Sequence, residues 1–245
     1  MDPLSKSENI KTLIRVSMFR PVIYCDDSGS MLKDDRQKAQ ADLVERIARI
    51  TTRLVPEGEG VELRFINKSA DDLSGLDEKG IRERMNELKI TPGSYTQIGI
   101  GLKEKILKPL VYEPLESKEG LTRPLLVCII TDGYPQNPPT VGPVAGLNRE
   151  QPETTKNNID ECGEKLDRAE YPRSSVRFLV NQIGKSDKAR EFLEDLGNDT
   201  RLSDVVHVTT DMLDDKWKEL RDNKQHLEEW LLQTLLAPIV NKGPD

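Results

Sequence analysis

Pro21-Val22-Ile23-Tyr24-Cys25-Asp26-Asp27-Ser28-Gly29-Ser30-Met31 passes from a β-branched, apolar run into a loop of oxygen-bearing side chains broken by glycine. The first five residues read as a strand. Beyond the loop, Leu43, Val44, Ile47, Ile50 and Leu54 recur at steps of three and four, which predicts an amphipathic helix over residues 32–54. Strand, polar loop and helix in that order open a βαβ unit, and the rest of the chain repeats the alternation. Residues 61–66 alternate apolar and charged, as a half-exposed strand near a sheet edge would. Residues 125–130 are apolar throughout, which suits a central strand buried on both faces. Residues 176–183 and 205–208 supply two more strands. Between the strands lie helical patterns marked by Leu76, Ile81, Met85 and Leu88, by Ile98, Leu102, Ile106 and Leu110, by Ile159, Cys162 and Leu166, and by Phe192 and Leu196. A last stripe, Leu213, Trp217, Leu220, Leu227, Trp230, Leu231 and Leu235, reads as a helix closing the fold rather than one laid on a partner or a membrane surface. The pattern predicts an α/β domain, doubly wound, with helices on both faces of a mostly parallel sheet.

Composition narrows the partners. With 36% hydrophobic and 32% charged residues the chain can form a core beneath a well-solvated surface. The formal charge of −7 argues against attraction to phosphate backbones, so nucleic acid is not an expected partner. No apolar run approaches the ~20 residues needed to span a bilayer, so no membrane association is expected. The opening residues, Met1 to Glu8, lack the charged-then-apolar order of a secretory signal. Cys25, Cys128 and Cys162 are odd in number, and two lie in apolar runs, which suits reduced, buried thiols. These features lead us to expect a cytoplasmic protein, with the nucleus as the other candidate compartment. Two glycosylation-type triplets, at Asn67 and Asn198, are then coincidental.

Asp26, Ser28 and Ser30 put oxygens at alternate positions of the first loop, at the carboxyl end of a strand, where open α/β sheets bind ligands. A hard divalent cation takes about six oxygen ligands and keeps some of its water, so hydroxyls and water-bridged carboxylates suit it. Taken alone the loop reads more readily as a helix cap. Two distant features bear on the choice. Thr131-Asp132-Gly133 follows the apolar run 125–130, so Asp132 also ends a central strand. Pro92-Gly93-Ser94-Tyr95-Thr96 precedes a helix, so the Thr96 hydroxyl projects from a loop.

Together these segments resemble the von Willebrand factor A domain family with an intact metal-ion-dependent adhesion site. Asp26, Ser28 and Ser30 match its Asp-x-Ser-x-Ser, Thr96 within Gly-Ser-Tyr-Thr-Gln-Ile-Gly-Ile-Gly-Leu matches its threonine, and Asp132 within Thr-Asp-Gly matches its aspartate. The resemblance spans roughly residues 21–236. It implies a Rossmann-like fold with a sheet of about six strands, one short edge strand antiparallel. The domain would cover residues 20–238, between an N-terminal extension, 1–19, and a tail, 239–245. It also implies that Ser28, Ser30 and Thr96 contact Mg²⁺ (or Mn²⁺ or Ca²⁺) by hydroxyl, and that Asp26 and Asp132 act directly or through water. The function implied is non-enzymatic: a protein partner completes the metal shell with an Asp or Glu. Lacking a signal and a disulfide, the chain looks like the intracellular branch, whose members mediate assembly. The proline-rich loop, residues 133–152, starts beside the proposed metal and is expected either to shape specificity or to be a surface loop with no partner. The oligomeric state is open.

Competing classes fit less well. A haloacid dehalogenase-type phosphatase needs a second acid two residues after its first aspartate, where this chain has Ser28. A receiver domain has an acid pair like Asp26-Asp27, but its fold is too compact for the gap to Asp132. Gly184-Lys185-Ser186 lacks the upstream glycine of a phosphate loop, and His207 and His226 have no Cys-His spacing suited to zinc. A Mg²⁺-dependent hydrolase and a structural domain with a vestigial metal site remain the alternatives.

Overall fold

In the computed structural model, residues 13–56, 58–69, 71, 73–137, 150–220 and 222–240 are described. Five strands, β1 (Arg20–Cys25), β2 (Glu62–Phe65), β3 (Leu125–Thr131), β4 (Val176–Gln182) and β5 (Val206–Val208), form one sheet in the order β2-β1-β3-β4-β5. Every pairing is parallel. Among the described residues, α-helices complete the alternation, among them α1 (Arg36–Thr52), α2 (Glu78–Asn86), α3 (Ile98–Leu102), α4 (Thr154–Arg168), α5 (Asp187–Gly197), α6 (Leu213–Leu220) and α7 (Lys224–Val240). α3 runs on through a π-helical stretch, Lys103–Tyr112, into a last α turn, Glu113–Glu116. Pro109 lies in the π stretch, where wider spacing relieves the clash of its ring with the preceding turn.

Strand alternation distributes the core. Ile23, Cys25, Leu126, Cys128 and Ile130 point to one face, with Leu43, Val44 and Ile47 of α1 and Leu227, Leu231 and Leu235 of α7. Val22, Tyr24, Leu125, Val127 and Ile129 point to the other, with Leu102, Ile106, Ile159 and Phe192. The doubly wound α/β architecture is therefore as the sequence predicts.

The structure corrects several details. The sheet has five strands among the described residues, not six, and none is antiparallel. What remains of an antiparallel edge is a single bridge between Val61 and Leu76, with the Leu63 N–H reaching the Leu73 carbonyl at 2.8 Å. β2 is buried rather than half-exposed: Glu62 and Arg64 are shielded and paired at 2.7 Å, and Arg20 also donates to Glu62. α1 starts at Arg36, not residue 32. Gly29–Leu32 forms a separate 3-10 turn, and Asp34 and Asp35 hold φ of 53° and 58°, outside the helical range. The C-terminal stripe is two helices, broken after Leu220, that share one core. Val16, ahead of the expected start at residue 20, is buried in that core, and α7 runs to Val240. Most of the proline-rich loop, residues 138–149, lies outside the described residues, as do residues 1–12 and 241–245. Cys25, Cys128 and Cys162 are free and buried. Among the described residues no helix is long and apolar enough to cross a membrane.

Candidate metal centre

The strand order puts a topological switch point between β1 and β3. The connection after β1 leads to α1 on one face and the connection after β3 leads to α4 on the other, which opens a crevice at their carboxyl ends. β1 and β3 are paired with Cys25 opposite Ile130, so Asp26 and Thr131 emerge side by side. The Asp26 N–H continues the ladder to the Ile130 carbonyl at 2.9 Å.

Asp26 is fully buried, and both of its carboxylate oxygens are engaged. The Ser28 N–H donates to Oδ1 at 2.8 Å and the Thr131 hydroxyl to Oδ2 at 2.7 Å. Burial, reinforced by the charge of Asp132, pushes the Asp26 carboxyl up to about 6, against the lowering effect of those hydrogen bonds. The Ser28 and Ser30 hydroxyls lie 2.9 Å apart, and Ser30 donates to Asp132 Oδ1 at 2.7 Å. Thr96 comes from the second loop and packs on the turn after Asp132, in the third. A β-carbon on Gly133 would stand 3.0 Å from Thr96 Oγ1, and the Thr96 carbonyl accepts the Gln136 N–H at 2.9 Å. A β-carbon on Gly29 would lie 2.6 Å from the Gly93 nitrogen, so absence of a side chain is what brings the first and second loops together.

All five residues singled out in the sequence thus come from three loops that touch. The donor set is two carboxylates and three hydroxyls, hard oxygens suited to Mg²⁺, Mn²⁺ or Ca²⁺. Among the described residues no group of three His, Cys, Asp or Glu side chains is arranged to hold a metal, so a cation here would depend on the hydroxyls and water.

The residues that build this arrangement are mostly ones the sequence did not single out. Thr131 orients Asp26. Gln40 of α1 is buried and donates to the Asp26 carbonyl at 2.9 Å. Asp27 faces away from the cluster and accepts the backbone N–H groups of Asn67 and Lys68 at 2.7 and 3.0 Å, tying the loop after β2 to the loop after β1. Buried Glu150 accepts the Gly99 and Ile100 N–H groups at 2.8 and 3.3 Å, which anchors the start of α3 just beyond Thr96. Arg36 pairs with Asp132 Oδ2 at 2.6 Å. A polar residue next to a strand end was the only sequence signal for Asp27 and Thr131; Arg36, Gln40 and Glu150 gave none.

No protein-family profile matches the chain, and no curated protein is similar to it at a significant level. Solved structures do resemble it. Proximal thread matrix protein 1 from the mussel byssus superposes with a TM-score of 0.54 at 19% identity, over 90% of this chain and 48% of the mussel chain. A second structure of that protein gives a TM-score of 0.49 at 16% identity, over 90% and 47%. The open conformation of the pilus adhesin SpaC from Lactobacillus rhamnosus GG gives 0.49 at 12%, over 91% of this chain and 30% of the adhesin. The chain spans about half the length of the mussel protein. At this identity the mussel protein supports one conclusion, a shared α/β fold.

Proposed function

We propose that this chain is a von Willebrand factor A-type domain that binds one divalent cation, Mg²⁺ first and Mn²⁺ or Ca²⁺ as alternatives, through Asp26, Ser28, Ser30, Thr96 and Asp132. On this reading it is a non-enzymatic, cytoplasmic protein-binding domain. The observation that carries the reading is the 2.7 Å hydrogen bond from Ser30 to Asp132, which joins the first and third loops across 102 residues of sequence at the switch point of the sheet.

A bound cation with few direct carboxylates supplies residual positive charge that an Asp or Glu of a protein partner neutralises. The chain's own residues do the rest. Thr131 and the Ser28 N–H hold Asp26 in one orientation, so its charge faces the cluster without rotamer loss on binding. Ser28 and Ser30, whose hydroxyls lie 2.9 Å apart, would offer lone pairs from the first loop, and Thr96 would offer another from the second. Each Asp26 oxygen accepts one internal donor and keeps a second lone pair for the cation or its water.

Thermal denaturation with Mg²⁺ or Mn²⁺ tests the site. Cation at about 100 times its dissociation constant stabilises by ~2.7 kcal/mol, a rise in Tm of roughly 5–10 °C for a domain of this size. Ser30→Ala and Asp26→Ala should each remove the rise. Affinity capture with and without EDTA then tests whether a partner is held through the cation. Turnover of a phosphoester by the wild type, lost in Asp26→Ala, would overturn the reading in favour of a hydrolase.

A further inference from the structure

Asp132 carries two hydrogen bonds of different kinds. Its Oδ1 takes the neutral Ser30 hydroxyl and its Oδ2 takes the Arg36 guanidinium at 2.6 Å, with no side-chain surface left to solvent. The Arg36 side chain is itself only 14% exposed. Its placement is unusual in three respects. Arg36 is the first residue of α1, where a cation meets the positive end of the peptide dipoles. The two preceding residues, Asp34 and Asp35, both adopt left-handed backbone, at φ 53° and 58°, and this reversal turns Arg36 back toward the third loop. Finally, the Arg36 Nε is buried without a hydrogen-bond partner, although Nη1 and Nη2 are both used. Room for the side chain exists because residue 184 is glycine: a β-carbon there would stand 2.6 Å from Nε.

We propose that Arg36 is a built-in counter-cation of the site, which a divalent cation must displace from Asp132. The inference rests on the metal-binding reading above and adds the residue that sets its affinity. Charge counting gives the reason. Summed over these three side chains alone, Asp26 and Asp132, ionised, with Arg36 leave one net negative charge. A dication added with Arg36 still paired makes that +1, whereas a dication that takes Asp132 and releases Arg36 leaves the pocket neutral. The guanidinium has somewhere to go, because its second nitrogen already pairs at 3.0 Å with Asp34, whose side chain is 76% exposed. Leaving Asp132 frees the buried Nε to reach water and removes the contact that holds the strained turn. Arg36 is therefore a positioning residue that keeps the cation-free site closed and makes occupancy demand a higher cation concentration.

The test is calorimetric titration of Mn²⁺ into wild type, Arg36→Met, Arg36→Lys and Ser30→Ala, with the cation-free Tm of each. Arg36→Met, which keeps most of the stem and loses the charge, should bind Mn²⁺ at least about tenfold more tightly while its cation-free Tm falls. Arg36→Lys should lie between it and the wild type, since a lysine pairs without the guanidinium fork. Equal or weaker Mn²⁺ binding by a folded Arg36→Met beside a wild type that binds would overturn the proposal and leave the metal site standing. Absence of Mn²⁺ binding in every variant would overturn both. Should Arg36→Met fail to fold, nitrogen resonances of the wild-type Arg36 guanidinium during a Mg²⁺ titration decide the matter. Release predicts that hindered rotation about its Cζ–Nη bonds becomes fast, and signals unmoved at saturation would refute it.

Discussion

The Thr131 hydroxyl donates to Asp26 Oδ2 at 2.7 Å, so the last residue of the central strand orients the first residue past its neighbour, 105 positions earlier in the chain. Removing that hydroxyl while keeping the branched shape isolates its contribution. Thr131→Val is expected to cost about 1–3 kcal/mol of unfolding free energy, the usual penalty for a buried acceptor left unpaired. Urea denaturation at neutral pH measures it, and a cost within about 0.5 kcal/mol of zero would show that Asp26 finds another donor.

The high affinity of Asp26 for its proton makes the cation-free protein sensitive to pH. In the folded chain this carboxyl titrates near 6, against 3.8 for a free side chain, so the native state holds more protons than the unfolded chain between those values. Its contribution to stability is therefore present in acid and is lost as pH rises through that window. A divalent cation competes with the same proton. The rise in Tm produced by Mg²⁺ should be small near about pH 5 and several-fold larger near about pH 7.5. An equal rise at both would separate Asp26 from the cation.

Gly29 sets the distance between the first two loops. A β-carbon there would meet the Gly93 nitrogen at 2.6 Å, and backbone cannot step aside as a flexible side chain can. Gly29→Ala is expected to cost about 1–3 kcal/mol and to weaken the Mg²⁺-induced rise in Tm, since Thr96 rides on the displaced loop. Retention of the full rise would mean that Thr96 is dispensable.

Glu62 is buried between Arg20 and Arg64 at the edge of the sheet. Burial pushes its carboxyl up, but a hydrogen bond from Ser74 and the two guanidinium groups outweigh it and hold the acid below the ordinary range. Glu62→Ala leaves Arg64 buried beside uncharged carbonyls and should cost about 3–5 kcal/mol. The loss should appear in the denaturation midpoint and leave the Mg²⁺ response intact, because the site lies at the other side of β1.

What could be read from the sequence divides along physical lines. Periodicity reports which face of an element is buried, so β1, β3 and β4, and the stripes of α1, α3, α4 and α5, were legible. So was the placement of Asp26 and Asp132 at strand ends, because strand ends follow from where apolar runs stop. Glu62 and Arg64 misled for the converse reason: alternating charge implies an exposed face, and only the fold reveals that the two charges satisfy each other. The start of α1 was misplaced because nothing in Lys33-Asp34-Asp35 signals left-handed backbone in two successive aspartates. Arg36 was hidden for the same reason, since its partner lies 96 residues away. The expected sixth strand has no counterpart among the described residues, whose isolated antiparallel bridge joins Val61 and Leu76, a tertiary choice that no local pattern encodes.

That bridge also governs how other chains can approach. A sheet with a long free edge invites another chain to add a strand. Here one edge is β2, whose outward backbone is already taken at Val61 and Leu63 by the Leu73–Leu76 segment, and the other is β5, only three residues long. With little unpaired backbone on offer at either side among the described residues, recruitment by strand addition is disfavoured, and visitors are steered to the helical faces or to the mouth above β1 and β3.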